Sequence, residues 1–190
     1  MSKRAKHVWP HIVAFENLLL AWRKVQLGKR YRPAIVRLRA GIEDTLFDLQ
    51  ERLVAHTWTP APCRTFRIVE VKPRIIDAPA VQDCIVHHAV MNVLEPWFER
   101  RFIADSFACR KGKGTHAASF RTRDFMRRAS AEWGSPYVLK ADISSYFASI
   151  NHDRLMTMLP RITSDKDVLW LFERIVKHNG YEQRGLPLGC

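Results

Sequence analysis

Apolar positions at Ile12, Phe15, Leu19 and Trp22 recur at helical spacing, and Gly28 follows as a stop, which predicts a first helix. Lys29-Arg-Tyr-Arg-Pro33 reads as a basic connector. After Gly41, the acids Glu43 and Asp44 favour a helix start, and Ile42, Leu46, Leu49 and Leu53 form one apolar face. Thr59-Pro-Ala-Pro62 breaks that helix. Residues 65–71 are rich in β-formers, Lys72-Pro73 marks a turn, and 74–77 return as a short strand, which predicts a hairpin. Pro79 precedes a helix over about 81–94, closed near Pro96.

Lys111-Gly-Lys-Gly114 is a basic glycine loop, and Thr115 can cap a helix running to about Ala131, stopped by Gly134-Ser-Pro136. Residues 137–143 then read as a strand. Val138, Lys140 and Asp142 fall on one face, and Tyr137, Leu139, Ala141 and Ile143 on the other. Asn151 can cap a short helix ending at Pro160. Ser164 with Asp167 predicts a capping box for a helix to about His178. Helices and strands mix without repeats or low-complexity linkers, so the class is α/β or α+β.

Composition adds a strong positive balance. The 190 residues hold 31 Lys+Arg against 19 Asp+Glu, a formal charge of +12. The charge is concentrated in two blocks: residues 1–39 carry ten basic residues and one acid, and residues 100–128 carry nine and two. Two such blocks point to a polyanion, most simply nucleic acid. A polybasic membrane-surface role has less support, because no Trp/Leu-rich amphipathic helix accompanies either block. Apolar runs are too broken for a membrane span. The N-terminus lacks a signal-peptide pattern, and the four cysteines contain no Cys-x-x-Cys pair, so a reduced, cytoplasmic protein is expected.

One segment carries most of the chemistry. Asp142 closes a largely apolar stretch and is followed at once by a turn and two aromatics. A carboxylate at a strand end can hold Mg²⁺ at a sheet edge, within reach of substrate phosphates. The following turn offers N–H groups to phosphate oxygens. Taken by itself, such an Asp is more often a cap or a surface residue than a metal ligand.

Here the motifs bring a resemblance. Asp142-Ile-Ser-Ser-Tyr-Phe-Ala-Ser-Ile-Asn-His152 resembles the first catalytic-aspartate motif of bacterial reverse transcriptases, and Gly185-Leu-Pro-Leu-Gly189 resembles their later glycine motif. Asp105-Ser-Phe-Ala-Cys-Arg-Lys-Gly-Lys-Gly-Thr-His-Ala-Ala118, Arg74-Ile-Ile-Asp-Ala-Pro79 and Val86-His-His-Ala89 look like one subgroup, the reverse transcriptases of diversity-generating retroelements. The resemblance runs from about Phe15 to the last residue. It implies an α+β fold: the fingers and incomplete palm of a right-hand polymerase, a small antiparallel sheet with flanking helices, behind a helical N-terminal extension. The expected division is a basic extension over 1–60, fingers over 61–136, and a partial palm over 137–190 that stops before the Asp-Asp hairpin and thumb.

The implied activity is RNA-directed DNA synthesis with Mg²⁺, error-prone at adenines. Its expected partners are template RNA, a cDNA primer, deoxynucleoside triphosphates and a small basic accessory protein. A retron-like or group II intron-like reverse transcriptase and a non-catalytic RNA-binding piece are the alternatives. By the same resemblance Asp142 is catalytic, and Asp142 with Ile143 marks the metal position. Lys72, Arg74, Phe147, Leu188 and Gly189 face the incoming nucleotide, with Phe147 as the aromatic gate against a 2′-hydroxyl. Arg110, Lys111, Gly112, Lys113, Gly114 and His116 contact RNA; glycine allows close backbone approach to phosphate there. The chain holds no Asp-Asp dipeptide, and one carboxylate holds two Mg²⁺ ions poorly, so the 190 residues alone are expected to be inactive. His152 is expected to be structural, and His87 and His88, adjacent on a helix, make a poor metal pair.

Overall fold

The computed structural model describes residues 4–69, 73–178 and 183–187. It is an α+β protein of two compact units, one built from residues 1–98 and 145–190, the other from residues 99–144.

The first unit is mostly helical. Helices α1 (Trp9–Val13), α2 (Phe15–Val25), α3 (Pro33–Arg39) and α4 (Ile42–Val54) lead into an antiparallel hairpin. Its strands β1 (Arg64–Val69) and β2 (Pro73–Ala78) pair Arg64 with Ala78 through Val69 with Pro73. Helix α5 (Val81–Glu99) follows. After the second unit come α7 (Tyr146–Ser149), α8 (His152–Met158), a single 3-10 turn and α9 (Lys166–Val176). The core joins Ile12, Leu18, Trp22, Leu46, Leu49, Leu53, Trp58, Ile85, Leu94 and Leu171, all buried. Removing this apolar surface from water is the main force that assembles the unit. The apolar face expected from Leu46, Leu49 and Leu53 is the buried face of α4.

Several local expectations change. The first helix is two helices, because Ala14 takes an extended ψ of 135°. The carbonyls freed at that break find side-chain partners: Asn17 Nδ2 donates to Ile12 O at 2.9 Å and Gln50 Nε2 to Val13 O at 2.8 Å. The basic connector runs into α3, which starts on Pro33, a favoured first-turn residue. Helix α5 continues past Pro96. Proline removes one N–H there, but Leu94 is buried and Trp97 and Phe98 pack against the core, which holds the last turn in place.

The cap of α9 is Asp165, one residue after the expected Ser164. Asp165 Oδ1 accepts from Asp167 N at 3.2 Å, while its Oδ2 accepts from both Val8 N and Trp9 N at 3.0 Å. One carboxylate therefore caps two helix starts, α9 and α1. Beside it Ala5 bridges Thr163 in parallel, with Ala5 N donating to Ile162 O at 2.8 Å. These bonds fasten the basic N-terminal segment to the region before α9.

The second unit holds a long loop and α6 (Thr115–Trp133). Its N-cap is Gly114 at φ 104°, not Thr115. A residue at that φ is strained unless it is glycine, which explains the choice. The expected strand over 137–143 does not form. A strand needs a ladder partner, and among the described residues none pairs with this segment. Its two predicted faces are both exposed, Tyr137 and Leu139 almost completely, so neither face fixes a register. Among the described residues, no helix is long and apolar enough to cross a membrane.

Candidate functional site

In the first unit the structure brings together two motifs that lie more than thirty residues apart in sequence. The segment that follows the aspartate motif's turn packs along the start of the glycine motif. Leu186 N donates to Phe147 O at 2.9 Å, Gly185 N to Ile150 O at 2.7 Å, and His152 N to Gln183 O at 2.9 Å. Asn151 and Arg184 form an antiparallel bridge. Asn151 also caps α8, its Oδ1 accepting from Arg154 N at 2.8 Å, as its sequence position suggests.

His152 completes the clamp. It is buried, and its Nε2 lies 2.7 Å from Gly185 O. A carbonyl only accepts, so Nε2 carries a proton and donates. The expectation of a structural His152 agrees with this position.

Phe147 sits on α7, its ring 5.3 Å from that of Tyr146 in an edge-on arrangement. The turn before it places Ser145 at φ 51°, the left-handed region. Phe147 lines a cavity of about 180 Å³ with Cys63, Asp83, His87, Leu186 and Pro187. The wall is mostly apolar and carries a few titratable groups, the usual make-up of a small-molecule site. Burial pushes the Asp83 carboxyl up from its ordinary value, opposed by the Ala61 N–H that donates to Asp83 Oδ2 at 2.9 Å and by His178 and Arg52. Burial, with lesser effects from His88 and His178, pushes His87 down to about 4. His178 bonds Ala61 O through Nε2 at 2.7 Å. Sequence reading missed this wall. Its only signal was the spacing of Asp83 and His87, four residues apart on one helix.

The hairpin places Arg74 on β2, exposed and opposite Ile68. Asp77, further along β2, is buried and accepts from Thr65 Oγ1 at 2.6 Å. Lys72, Leu188 and Gly189 lie outside the described residues.

In the second unit the glycine loop shows a division of labour among its cations. Arg110 is held inside the loop. Its Nε and Nη2 donate to the Glu99 carboxylate at 3.0 and 2.7 Å, and its Nη1 donates to Ile103 O at 3.0 Å and Ser106 O at 2.9 Å. The guanidinium also lies over the Phe102 ring at 5.2 Å. Its hydrogen bond to Glu99 holds that carboxyl below the usual range. Lys113 reaches back to Ala104 O and lies 5.0 Å over Phe107. Both side chains therefore shape the loop. Lys111 and His116 are exposed, and Gly112 and Gly114 take φ of 70° and 104° with open space where a Cβ would stand. Two of the loop's amides are engaged within it, Lys113 N donating to Arg110 O and Gly114 N to Phe107 O, both at 3.2 Å.

Asp142 and Ile143 lie exposed in the segment after α6, which forms no helix or strand. Among the described residues no three His, Cys, Asp or Glu side chains gather in a way that could hold a metal ion.

No family model matches the chain. Two curated proteins share sequence with it. "Protein YkfC" of Escherichia coli (strain K12) is 30% identical over 142 residues, which cover 74% of this chain and 37% of that protein. "Nuclear intron maturase 1, mitochondrial" of Arabidopsis thaliana is 31% identical over 106 residues, covering 55% of this chain and 14% of the maturase. The matches thus span little more than a third of the first relative's length and about a seventh of the second's. The second match gives the chain a sequence link to the intron maturases.

Proposed function

We propose that this chain belongs to an RNA-directed DNA polymerase that copies a template RNA into cDNA, and that residues 61–136 and 137–190 serve as its fingers and part of its palm. The observation that carries the reading is the clamp between the aspartate and glycine motifs, through Phe147, Ile150 and His152 on one side and Gln183, Gly185 and Leu186 on the other. Two motifs picked out separately in the sequence meet at one place, and Phe147 lines a cavity beside their junction. The sequence link to an intron maturase supports the same reading.

In this reading Phe147 bounds the sugar of an incoming deoxynucleotide, and Arg74 on the exposed hairpin meets its phosphates as a bidentate donor. The glycine loop, shaped by Arg110, presents its exposed side, with Gly112 and His116, to template RNA. Asp142 supplies one carboxylate for Mg²⁺, and further carboxylates are required for extension.

Primer extension tests the proposal. The full-length protein, given an RNA template, a DNA primer, labelled deoxynucleotides and Mg²⁺, is expected to lengthen the primer only when template is present. Extension that ignores the template, or none on any RNA template, would sink it. Within this reading the diversity-generating class requires cDNA errors concentrated opposite template adenines. The maturase match favours a second reading, a group II intron-like enzyme. Even error rates at all four template bases would select that one.

A further inference from the structure

Helix α6 is 19 residues long and none of its residues is buried. Its two sides differ. Ala117, Ala118, Arg121, Asp124 and Ala129 are half-covered, and Arg121 is tied to Asp105 by an Nε–Oδ1 bond of 2.7 Å. The other side carries His116, Phe120, Arg123 and Arg127, all exposed, spaced four, three and four residues apart. That spacing aligns them in one stripe along the helix. Arg123 lies 5.1 Å over the Phe120 ring and 4.0 Å from Asp124 at its edge, whereas Arg127 makes no ion pair or hydrogen bond among the described residues. Beside the stripe runs an open groove of about 680 Å³, lined by Ser119, Thr122, Met126 and Ser130 together with the same two arginines. No carboxylate lines it.

Guanidinium groups one turn apart, hydroxyls beside them and an exposed ring beneath an arginine make a surface for phosphate oxygens and a stacked base. The composition does not suit a protein partner's apolar helix, because Met126 is the sole aliphatic-type side chain in the groove.

We propose that the stripe His116–Phe120–Arg123–Arg127 on α6 is a second, sequence-independent docking track for a single strand of RNA, separate from the glycine loop. The proposal rests on the reading of the protein as an RNA-binding polymerase. Arg123 and Arg127 each neutralise one phosphate, and Phe120 carries a base. The track takes over cationic work that the loop's Arg110, engaged with Glu99, does not perform.

Arg128 supplies the control. It is exposed on the same helix but points away from the stripe, one residue past Arg127. Arg127→Gln and Arg128→Gln thus change the net charge equally. Binding of a single-stranded RNA oligonucleotide would be measured from low to moderate salt for the parent and for both variants. Each lost phosphate contact on a single strand is expected to flatten the slope of log affinity against log salt by about 0.7. Arg127→Gln should show that change, Arg123→Gln/Arg127→Gln about twice it, and Arg128→Gln none. Phe120→Ala should weaken binding by about tenfold with the slope unaltered. Equal effects of Arg127→Gln and Arg128→Gln would reduce the track to diffuse charge and overturn the proposal while the polymerase reading stands. A parent protein without RNA affinity would overturn both. Loss of binding to anionic lipid vesicles, with the RNA slope unchanged, would assign the stripe to a membrane surface instead.

Discussion

Replacing His152 by Leu keeps the side chain's bulk and deletes its donor. The hydrogen bond at stake, Nε2 to Gly185 O at 2.7 Å, is buried. Its loss leaves the Gly185 carbonyl without that partner in a place water reaches poorly. An orphaned buried acceptor costs about 1–3 kcal/mol, and an isosteric apolar replacement adds little cavity penalty. The effect is local, since the other fastenings of the clamp are backbone bonds. Two of them report directly: Gly185 N to Ile150 O at 2.7 Å and Leu186 N to Phe147 O at 2.9 Å. Native-state hydrogen exchange at these amides measures how often the clamp opens. A change of about 2 kcal/mol, the middle of that range, corresponds to roughly a 30-fold faster exchange at both. Amides in α4, whose buried face is Leu46, Leu49 and Leu53, should exchange as before. A folded His152→Leu protein with unchanged protection at Gly185 and Leu186 would refute the idea that His152 holds the two motifs together.

Asp165→Ala removes the acceptor for three backbone N–H groups, those of Val8, Trp9 and Asp167. It should lower unfolding free energy in urea by about 2 kcal/mol, while a loss under 0.5 kcal/mol would show that water replaces the double cap with no penalty. His87 gives a pH dependence. Its folded value of about 4 lies below its ordinary 6.5, so the unfolded chain takes the proton first. Stability is complete above pH 6.5 and falls as pH drops toward 4, by about 2 kcal/mol near pH 5. His87→Leu should flatten that limb in urea titrations at several pH values, and an unflattened limb would assign it elsewhere. On the proposed function, Phe147→Ala in the full-length protein should admit ribonucleotides into the product. Unchanged sugar selection in a primer-extension assay would leave Phe147 as packing.

The helices were legible wherever apolar periodicity met a buried face. Leu46, Leu49 and Leu53 show this in α4, and Asn151 shows that a side-chain cap can be read from sequence. The hairpin was legible because β-formers flank a turn with no competing helical period. Other features depend on distant partners. The break at Ala14 is supported by Asn17 and Gln50, and no local pattern announces it. Asp165 wins over Ser164 as cap because it also reaches Val8 and Trp9, more than 150 residues earlier. The strand expected over 137–143 had the right alternation, but alternation supplies only a face, and a strand also needs a neighbour. At the candidate site, the two motifs and Phe147 stand out in the sequence, and the structure brings them together. The occupation of Arg110 by Glu99 was not legible, since a guanidinium beside a glycine loop reads equally well as a phosphate ligand.

The central claim is tested most directly at Asp142. Wild type and Asp142→Asn versions of the full-length protein would be compared in two assays on one RNA: template-dependent primer extension with Mg²⁺, and RNA binding at fixed salt. The substitution keeps the side chain's shape and removes the charge that would hold the ion. Extension should vanish while RNA affinity stays within about twofold, because the sites assigned to RNA lie on the glycine loop and α6. Undiminished extension by Asp142→Asn would contradict the account.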